Sequence, residues 1–206
     1  MPKKASKPKA RRKSNKGSPF EREIARKLSL WWSDGQADDW FWRTAGSGGR
    51  ATNRAKSGKS TANGGGDICA QTKEAQNLLD KVTFELKRGY NTATISDLID
   101  NDGGVMAKFI EQARRSASLA GTPYWAVIHK RDRREALLIT NWAMLPLGVL
   151  EGGSGRIASY RLGEEDDEGI YCSELEKSLT EKTRTRILRS VIVEETLETQ
   201  DGDSRS

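Results

Sequence analysis

Two carboxylates and a lysine lie on two segments, close in sequence, that are predicted to be strands. Asp67 begins a short apolar segment, and Glu85-Leu86-Lys87 closes the next one after seventeen intervening residues. Because side chains alternate along a strand, Glu85 and Lys87 share one face, where Asp67 can join them. Carboxylate oxygens suit Mg²⁺, and a lysine can orient or deprotonate a water or neutralise charge on a phosphoryl group. The cluster therefore favours metal-assisted phosphoryl chemistry.

An exposed salt bridge on an edge strand is the alternative explanation, because D-x(n)-E-x-K arises by chance in many charged proteins. The neighbouring residues argue against it. Ile68 and Cys69 follow Asp67, and apolar side chains surround Glu85: Val82, Phe84 and Leu86. We therefore expect these charges to project from otherwise apolar strands.

Basic residues are concentrated in two segments that contain no acid. The chain has a net charge of +6, and residues 1–16 hold eight lysines and arginines. These residues lack the apolar side chains of a core, so we expect residues 1–17 to form a disordered basic arm. The second segment, 43–66, carries Arg43, Arg50, Arg54, Lys56 and Lys59. Such segments favour binding to a phosphate backbone, although a solvated arm without a partner is the alternative for the first one.

Composition excludes several classes of protein. The chain has 206 residues, of which 35% are hydrophobic and 31% charged. No apolar run reaches the roughly 18 residues of a spanning helix, and the N-terminus lacks the apolar region of a secretory signal. Two cysteines, Cys69 and Cys172, and one histidine, His129, provide neither a disulfide framework nor a zinc-ligand pattern. We expect an intracellular, cytoplasmic protein without a membrane partner.

Periodicity predicts one α/β domain over 18–150. We expect residues 151–206 to be a C-terminal extension with one helix and an acidic tail. Ser18 and Glu21 fit a capping box at the start of the first helix. The further predicted elements are strand 39–43, loop 44–66, strands 67–70 and 82–87 joined by a hairpin connection over 71–81, helices 94–99 and 104–120, strands 124–129 and 136–139, and helices 142–150 and 173–193.

Four stretches resemble, in order, the motifs of the PD-(D/E)xK nucleases and, among them, of the archaeal-type Holliday junction resolvases. Lys16–Arg22 resembles the K-G-S-x-x-E-R start of their first helix, and Arg43–Gly48 their R-x-x-x-S-G strand end. Gly66–Ile68 resembles their P-D-I, with glycine in place of proline, and Phe84–Lys87 their E-x-K. The similarity covers roughly residues 16–130, and the arm and the region after 150 have no counterpart in that core.

The resemblance implies a restriction-endonuclease-like core, a mixed β-sheet flanked by helices in the order αβββαβ. It also implies hydrolysis of DNA phosphodiester bonds with Mg²⁺, for which Mn²⁺ can substitute. Glu21, Asp67 and Glu85 would be catalytic acids that hold the metal together with the backbone carbonyl of Leu86, and Lys87 would be the catalytic lysine. With the basic segments, the resemblance gives these DNA-binding candidates: Lys16, Arg43, Ser47, Arg50, Arg54, Lys56 and Lys59.

The function we expect is a metal-dependent endonuclease that cuts branched or structured duplex DNA. A symmetric dimer is a hypothesis that rests only on the resemblance, because cutting two opposed strands needs two sites. A phage or prophage source would fit the small size and the arm. A site-specific or repair-type endonuclease of the same fold and a non-catalytic nucleic-acid-binding protein are the alternatives.

Two further features of the sequence are less decisive. Gln112 follows the E-x-K motif on the next long helix, where it either contacts the site or DNA or is an ordinary exposed glutamine. Four tryptophans in the first third of the chain favour core and interface positions over base stacking: Trp31, Trp32, Trp40 and Trp42.

Overall fold

The computed structural model describes residues 17–44, 65–100, 104–143, 145, 158–161 and 169–190. The predicted basic arm, except for Gly17, and the predicted acidic tail lie outside these residues, as does most of the predicted loop 44–66. No described helix has the length and apolar character needed to cross a membrane.

Helices and strands alternate along most of the described chain. In order they are α1 (Gly17–Trp32), β1 (Phe41–Arg43), β2 (Ile68–Ala70), α2 (Lys73–Leu79), β3 (Val82–Arg88), α3 (Asp97–Asp100), α4 (Gly104–Ala120), β4 (Tyr124–Lys130), β5 (Ala136–Thr140), β6 (Ala158–Arg161), β7 (Gly169–Glu174) and α5 (Leu175–Ser178). Residues 181–190 form a further helix, α6.

The strands form a five-stranded mixed sheet and a two-stranded sheet beside it. In the larger sheet the order is β3-β4-β5-β7-β6. Strands β3 and β4 run parallel, and the other pairs are antiparallel. Strands β1 and β2 pair antiparallel, and the Asp67 N–H donates to the Phe84 carbonyl over 2.8 Å. This bond joins the small sheet to the edge of the large one at β3.

Helices cover both faces of the large sheet, so the protein has three layers. On one face, α1 buries Phe20, Ile24 and Leu28 in a cluster with Phe84 and Ile128. On the other face, α4 buries apolar residues at helical spacing, and this second cluster contains Met106, Ile110, Ala113, Ala117, Trp125 and Val127. The predicted α/β architecture, a mixed sheet between helices, is confirmed.

Helix α1 is tied to its surroundings by polar groups of its last turns. The Ser29 hydroxyl accepts a hydrogen bond from the Phe41 N–H over 2.8 Å, which fixes the start of β1. The Trp31 and Trp32 indole N–H groups donate to the carbonyls of Thr180 and Glu74, each over 2.8 Å. These two tryptophans therefore occupy the core positions that the sequence predicted.

Several local predictions are wrong. The connection 71–81 contains helix α2, whose N-cap Thr72 accepts a hydrogen bond from the Ala75 N–H over 3.1 Å. Ser18 lies inside α1 and its hydroxyl accepts from Arg43 instead of capping the helix. Of the core and interface positions expected for the tryptophans, the core position is wrong for Trp42, which is 50% exposed, and an interface position stays a prediction.

The region after residue 150 also differs from the expected extension with a single helix. Two strands lie there, and β7 pairs with β5 of the main sheet. Leu175 and Ile187 are buried in the same cluster as α1. The described part of this region therefore completes the sheet and core, because the apolar residues of β7 need a neighbouring strand on which to pack.

Candidate active site

Strand β3 carries Glu85 and Lys87 on the face that α4 covers. Val82, Phe84 and Leu86 point to the α1 side, so the alternate residues point the other way. Both side chains are nearly buried, with 3% of Glu85 and 9% of Lys87 exposed. The alternative of an exposed edge-strand salt bridge therefore fails for this pair.

Asp67 lies directly before β2, and its carboxylate lies beside β3 near Glu85 and Lys87. It is 7% exposed, and its Oδ2 accepts a hydrogen bond from the Leu86 N–H over 2.8 Å. The Thr44 N–H donates to the Asp67 carbonyl over 2.9 Å, which extends the pairing of β1 with β2. Asp67 is thus fixed by backbone contacts on both sides, directly beside the E-x-K segment.

Gly66 allows this close approach. Its φ is +83°, and a Cβ at this position would lie 2.4 Å from the Phe84 carbonyl oxygen. Proline, which the resolvase pattern has here, holds φ near −65° and could not adopt this conformation. Glycine is therefore a requirement of the turn that brings Asp67 to β3.

Glu85 is the centre of a hydrogen-bond network with α4. Its Oε2 accepts from Lys87 Nζ over 3.0 Å and from Gln112 Nε2 over 2.8 Å. Its Oε1 accepts from the Ser116 hydroxyl over 2.6 Å. Lys87 Nζ also donates to Gln112 Oε1 over 3.0 Å and lies 5.7 Å from the centre of the Phe109 ring. The side-chain amide of Gln112 therefore bonds both the Glu85 carboxylate and the Lys87 ammonium group.

The two buried carboxylates, Asp67 and Glu85, create an electrostatic environment that favours binding of a cation. Burial, and then the negative charge of Glu85, raise the pKa of Asp67 to about 6. The Leu86 N–H and the charge of Lys87 act in the opposite direction, and Glu21 adds a small further increase of this pKa. Two buried carboxylates beside one ammonium group leave excess negative charge, which a cation would neutralise.

Glu21 lies next to this cluster and is bound to Arg43. Glu21 Oε2 is 3.0 Å from the Arg43 guanidinium, which also donates to the Ser18 hydroxyl over 2.8 Å. Among the described residues, no three acidic, histidine or cysteine side chains form a group that could hold a metal ion. The structure thus brings Asp67, Glu85 and Lys87 together and places Glu21 at their border.

Of the other predicted site residues, the structure describes only Arg43 and Leu86. Arg43 is described, with its side chain 33% exposed. The Leu86 side chain is in the core, and the role of its carbonyl remains a prediction. The remaining DNA-binding candidates lie outside the described residues: Lys16, Ser47, Arg50, Arg54, Lys56 and Lys59.

Gln112 and Ser116 complete the cluster, and of these the sequence singled out only Gln112, without deciding its role. They lie four residues apart, so α4 presents both on one face. A polar pair at this spacing beside the buried Ala113 and Ala117 was the signal available for Ser116. Its contact with Glu85 spans 31 residues, and local periodicity does not reveal such a contact.

Comparisons with known proteins identify the family to which the chain belongs. Residues 12–145 match the model of the family described as "Phage putative PDDEXK endonuclease". Comparisons with curated proteins and with solved structures give no significant match. The matched segment covers more than half of the chain and contains Glu21, Asp67, Glu85 and Lys87, and the mixed sheet between helices is consistent with a restriction-endonuclease-like fold. The chain therefore belongs to this phage-associated family of PDDEXK endonucleases.

Proposed function

We propose that this PDDEXK endonuclease is a metal-dependent endodeoxyribonuclease that cuts branched DNA. The observation that supports it most is the pair Asp67 and Glu85, two carboxylates that are only 7% and 3% exposed and lie beside each other at β3. A buried carboxylate pair is costly to maintain unless a ligand uses it. Lys87 Nζ lies 3.0 Å from the Glu85 carboxylate and is the third charged group of the cluster.

The donor chemistry of this cluster fits the divalent metal that PDDEXK nucleases use. Asp67 and Glu85 offer hard oxygen ligands, and one or two carboxylates with water and phosphate oxygens suffice for Mg²⁺. We propose these two as the metal-holding residues, with Glu21 and the Leu86 carbonyl as additional ligands and Mn²⁺ as a substitute ion. When bound, the ion would polarise the phosphodiester and lower the pKa of a water.

Lys87 supplies a positioned positive charge in this proposal. Its Nζ is held by Glu85 and Gln112, so little reorganisation is needed to donate a hydrogen bond to a phosphate oxygen. Such a preorganised donor stabilises the negative charge that develops on the phosphoryl group. The water that attacks the phosphorus would be oriented by the same ammonium group.

DNA binding is assigned to Arg43 and to the basic residues of the sequence around it. The segment from Arg43 to Gly66 contains no acid, and phosphate contacts from such residues supply affinity without sequence preference. The branched substrate and the symmetric dimer rest on the likeness to the resolvase motifs. Cutting two opposed strands at a branch would need two copies of the site.

Cleavage of matched substrates tests the proposal. A labelled four-way junction and linear duplexes of the same arm sequences are incubated with the protein in Mg²⁺, in Mn²⁺ and in EDTA. We expect cleavage of the junction in either metal, much less cleavage of the duplexes, and none in EDTA. Equal cleavage of both substrates would reject the branched specificity, and cleavage in EDTA would reject the metal dependence.

A further inference from the structure

Trp42 differs from the other tryptophans of this protein in its exposure. It is 50% exposed, whereas at most 9% of Trp31, Trp32, Trp125 and Trp142 is exposed and Trp40 is partly buried. It lies in β1 directly before Arg43, a residue that we propose to contact DNA. Whether the exposed indole of Trp42 can contact a bound substrate depends on where it lies relative to Asp67, Glu85 and Lys87.

The register of β1 and β2 places Trp42 on the same face as Asp67. Phe41 and Arg43 point toward α1, since Phe41 is buried in the α1 cluster and Arg43 binds Glu21. Trp42, between them, projects from the opposite face, where it is paired with Cys69. Asp67 is two residues before Cys69, and the Thr44 N–H bond to its carbonyl continues the antiparallel pairing as far as Asp67, so the alternation of side chains places it on that face.

The face that Trp42 and Asp67 share continues onto the catalytic cluster. The Asp67 N–H is bonded to the Phe84 carbonyl, and its Oδ2 to the Leu86 N–H. Strand β3 presents Glu85 and Lys87 on this side, beneath α4. The exposed indole and the buried acidic pair therefore lie on the same side of the two neighbouring sheets, two strands apart.

The sequence around this surface indicates which ligand comes to it. The segment between Thr44 and Gly65 connects the end of β1 to the start of β2, and it has four basic residues and no acid. Under the proposed function, the DNA phosphate to be cut lies at Asp67 and Glu85, which brings the neighbouring nucleotides to the side that bears Trp42.

We propose that Trp42 stacks on an unpaired base of the DNA substrate, beside the phosphate that is cut at Asp67 and Glu85. This inference rests on the proposed function and specifies the substrate further: a branch or flap with an accessible base face. Bases within a duplex are already stacked on their neighbours, so an indole gains a stacking partner only where a base is unpaired. Base–aromatic stacking of this kind is tolerant of sequence.

The test compares a paired duplex with the same duplex carrying a short single-stranded flap. Binding is measured in EDTA for the wild type, Trp42→Ala, Trp42→Phe and the control Leu119→Ala, which removes an equally exposed apolar side chain from α4. A 2-aminopurine placed in the flap reports stacking directly through the quenching of its fluorescence. Thermal melts of each variant verify folding, and Trp42→Phe retains an aromatic ring if the alanine variant is unstable.

We expect Trp42→Ala to lose roughly 5- to 150-fold in affinity for the flap DNA and to bind the paired duplex within about twofold of the wild type. Trp42→Phe should retain most of the affinity and the quenching, and Leu119→Ala should retain both. Unchanged flap binding by Trp42→Ala would overturn the inference. An equal loss on both DNAs would also overturn it, since the indole would then contact the duplex backbone.

Cleavage of the same substrates in Mg²⁺ separates this inference from the proposed function. If the wild type cuts the flap DNA and Trp42→Ala cuts it with an unchanged kcat/KM, only the stacking inference fails. If the wild type cuts neither the flap DNA nor the four-way junction in any metal, the proposed function fails, whatever the binding results.

Discussion

Replacing Asp67 by asparagine should stabilise the folded protein at neutral pH while removing its activity. The carboxylate is 7% exposed, and burial together with the charge of Glu85 raises its pKa. Asparagine keeps an oxygen that accepts the Leu86 N–H bond, 2.8 Å long in the wild type. The substitution therefore removes mainly the buried charge.

The pH dependence follows from the direction of the pKa shift. Asp67 binds its proton more tightly in the folded chain, so the wild type loses stability as pH rises from about 4 through about 6. A folded pKa of about 6 against an ordinary 3.8 corresponds to about 3 kcal/mol of lost stability at neutral pH. The asparagine side chain does not titrate, so the variant should gain up to this amount relative to wild type between pH 4 and pH 8.

Urea denaturation in EDTA at pH 4.5, 6 and 7.5 measures this difference. The control is Asp38→Asn, because Asp38 has a 3.0 Å salt bridge but is 56% exposed. The control should show no comparable trend. If the Asp67→Asn variant differs from the wild type by the same amount at all three pH values, the account of a buried, repelled carboxylate is refuted.

Three other substitutions test the supports of the site. Gly66→Ala should cost about 2 kcal/mol or more in urea denaturation, from the left-handed backbone and the 2.4 Å approach to Phe84; Gly35→Ala, with φ +79° and open space around it, should cost less. Glu21→Gln should keep the melting temperature within a few degrees and lose most single-turnover cleavage; full activity would restrict Glu21 to holding Arg43. Gln112→Ala should lower kcat about 10- to 100-fold, as for other residues that orient ligands, with DNA affinity unchanged; equal loss in the exposed neighbour Glu111→Ala would contradict this.

The sequence predicted the elements that carry strong apolar periodicity. Helix α4 and strands β3 and β4 are long and continuous, so their buried faces could be read from the spacing of apolar residues. The E-x-K pair could be placed on one face by alternation alone. Asp67 could be joined to it because short strands that follow each other along the chain tend to be neighbours.

The parts that could not be predicted depend on contacts distant in sequence. Helix α2 is only seven residues long, so its helical spacing was too short to outweigh a hairpin. Strand β7 is stabilised by pairing with β5, and the sequence around Ser173 is equally compatible with a helix. Ser18 was placed at the helix terminus because its local pattern fits a cap, whereas its partner in the structure is Arg43, 25 residues away.

Single-turnover cleavage by the double variant Asp67→Asn/Glu85→Gln tests the central claim most directly. The variant and the wild type are compared on the labelled junction at saturating protein in Mg²⁺, and DNA binding is measured in parallel. We predict that cleavage by the variant is abolished while its DNA affinity stays near that of the wild type, because the basic residues supply binding. Cleavage at the wild-type rate would show that Asp67 and Glu85 are not the active site.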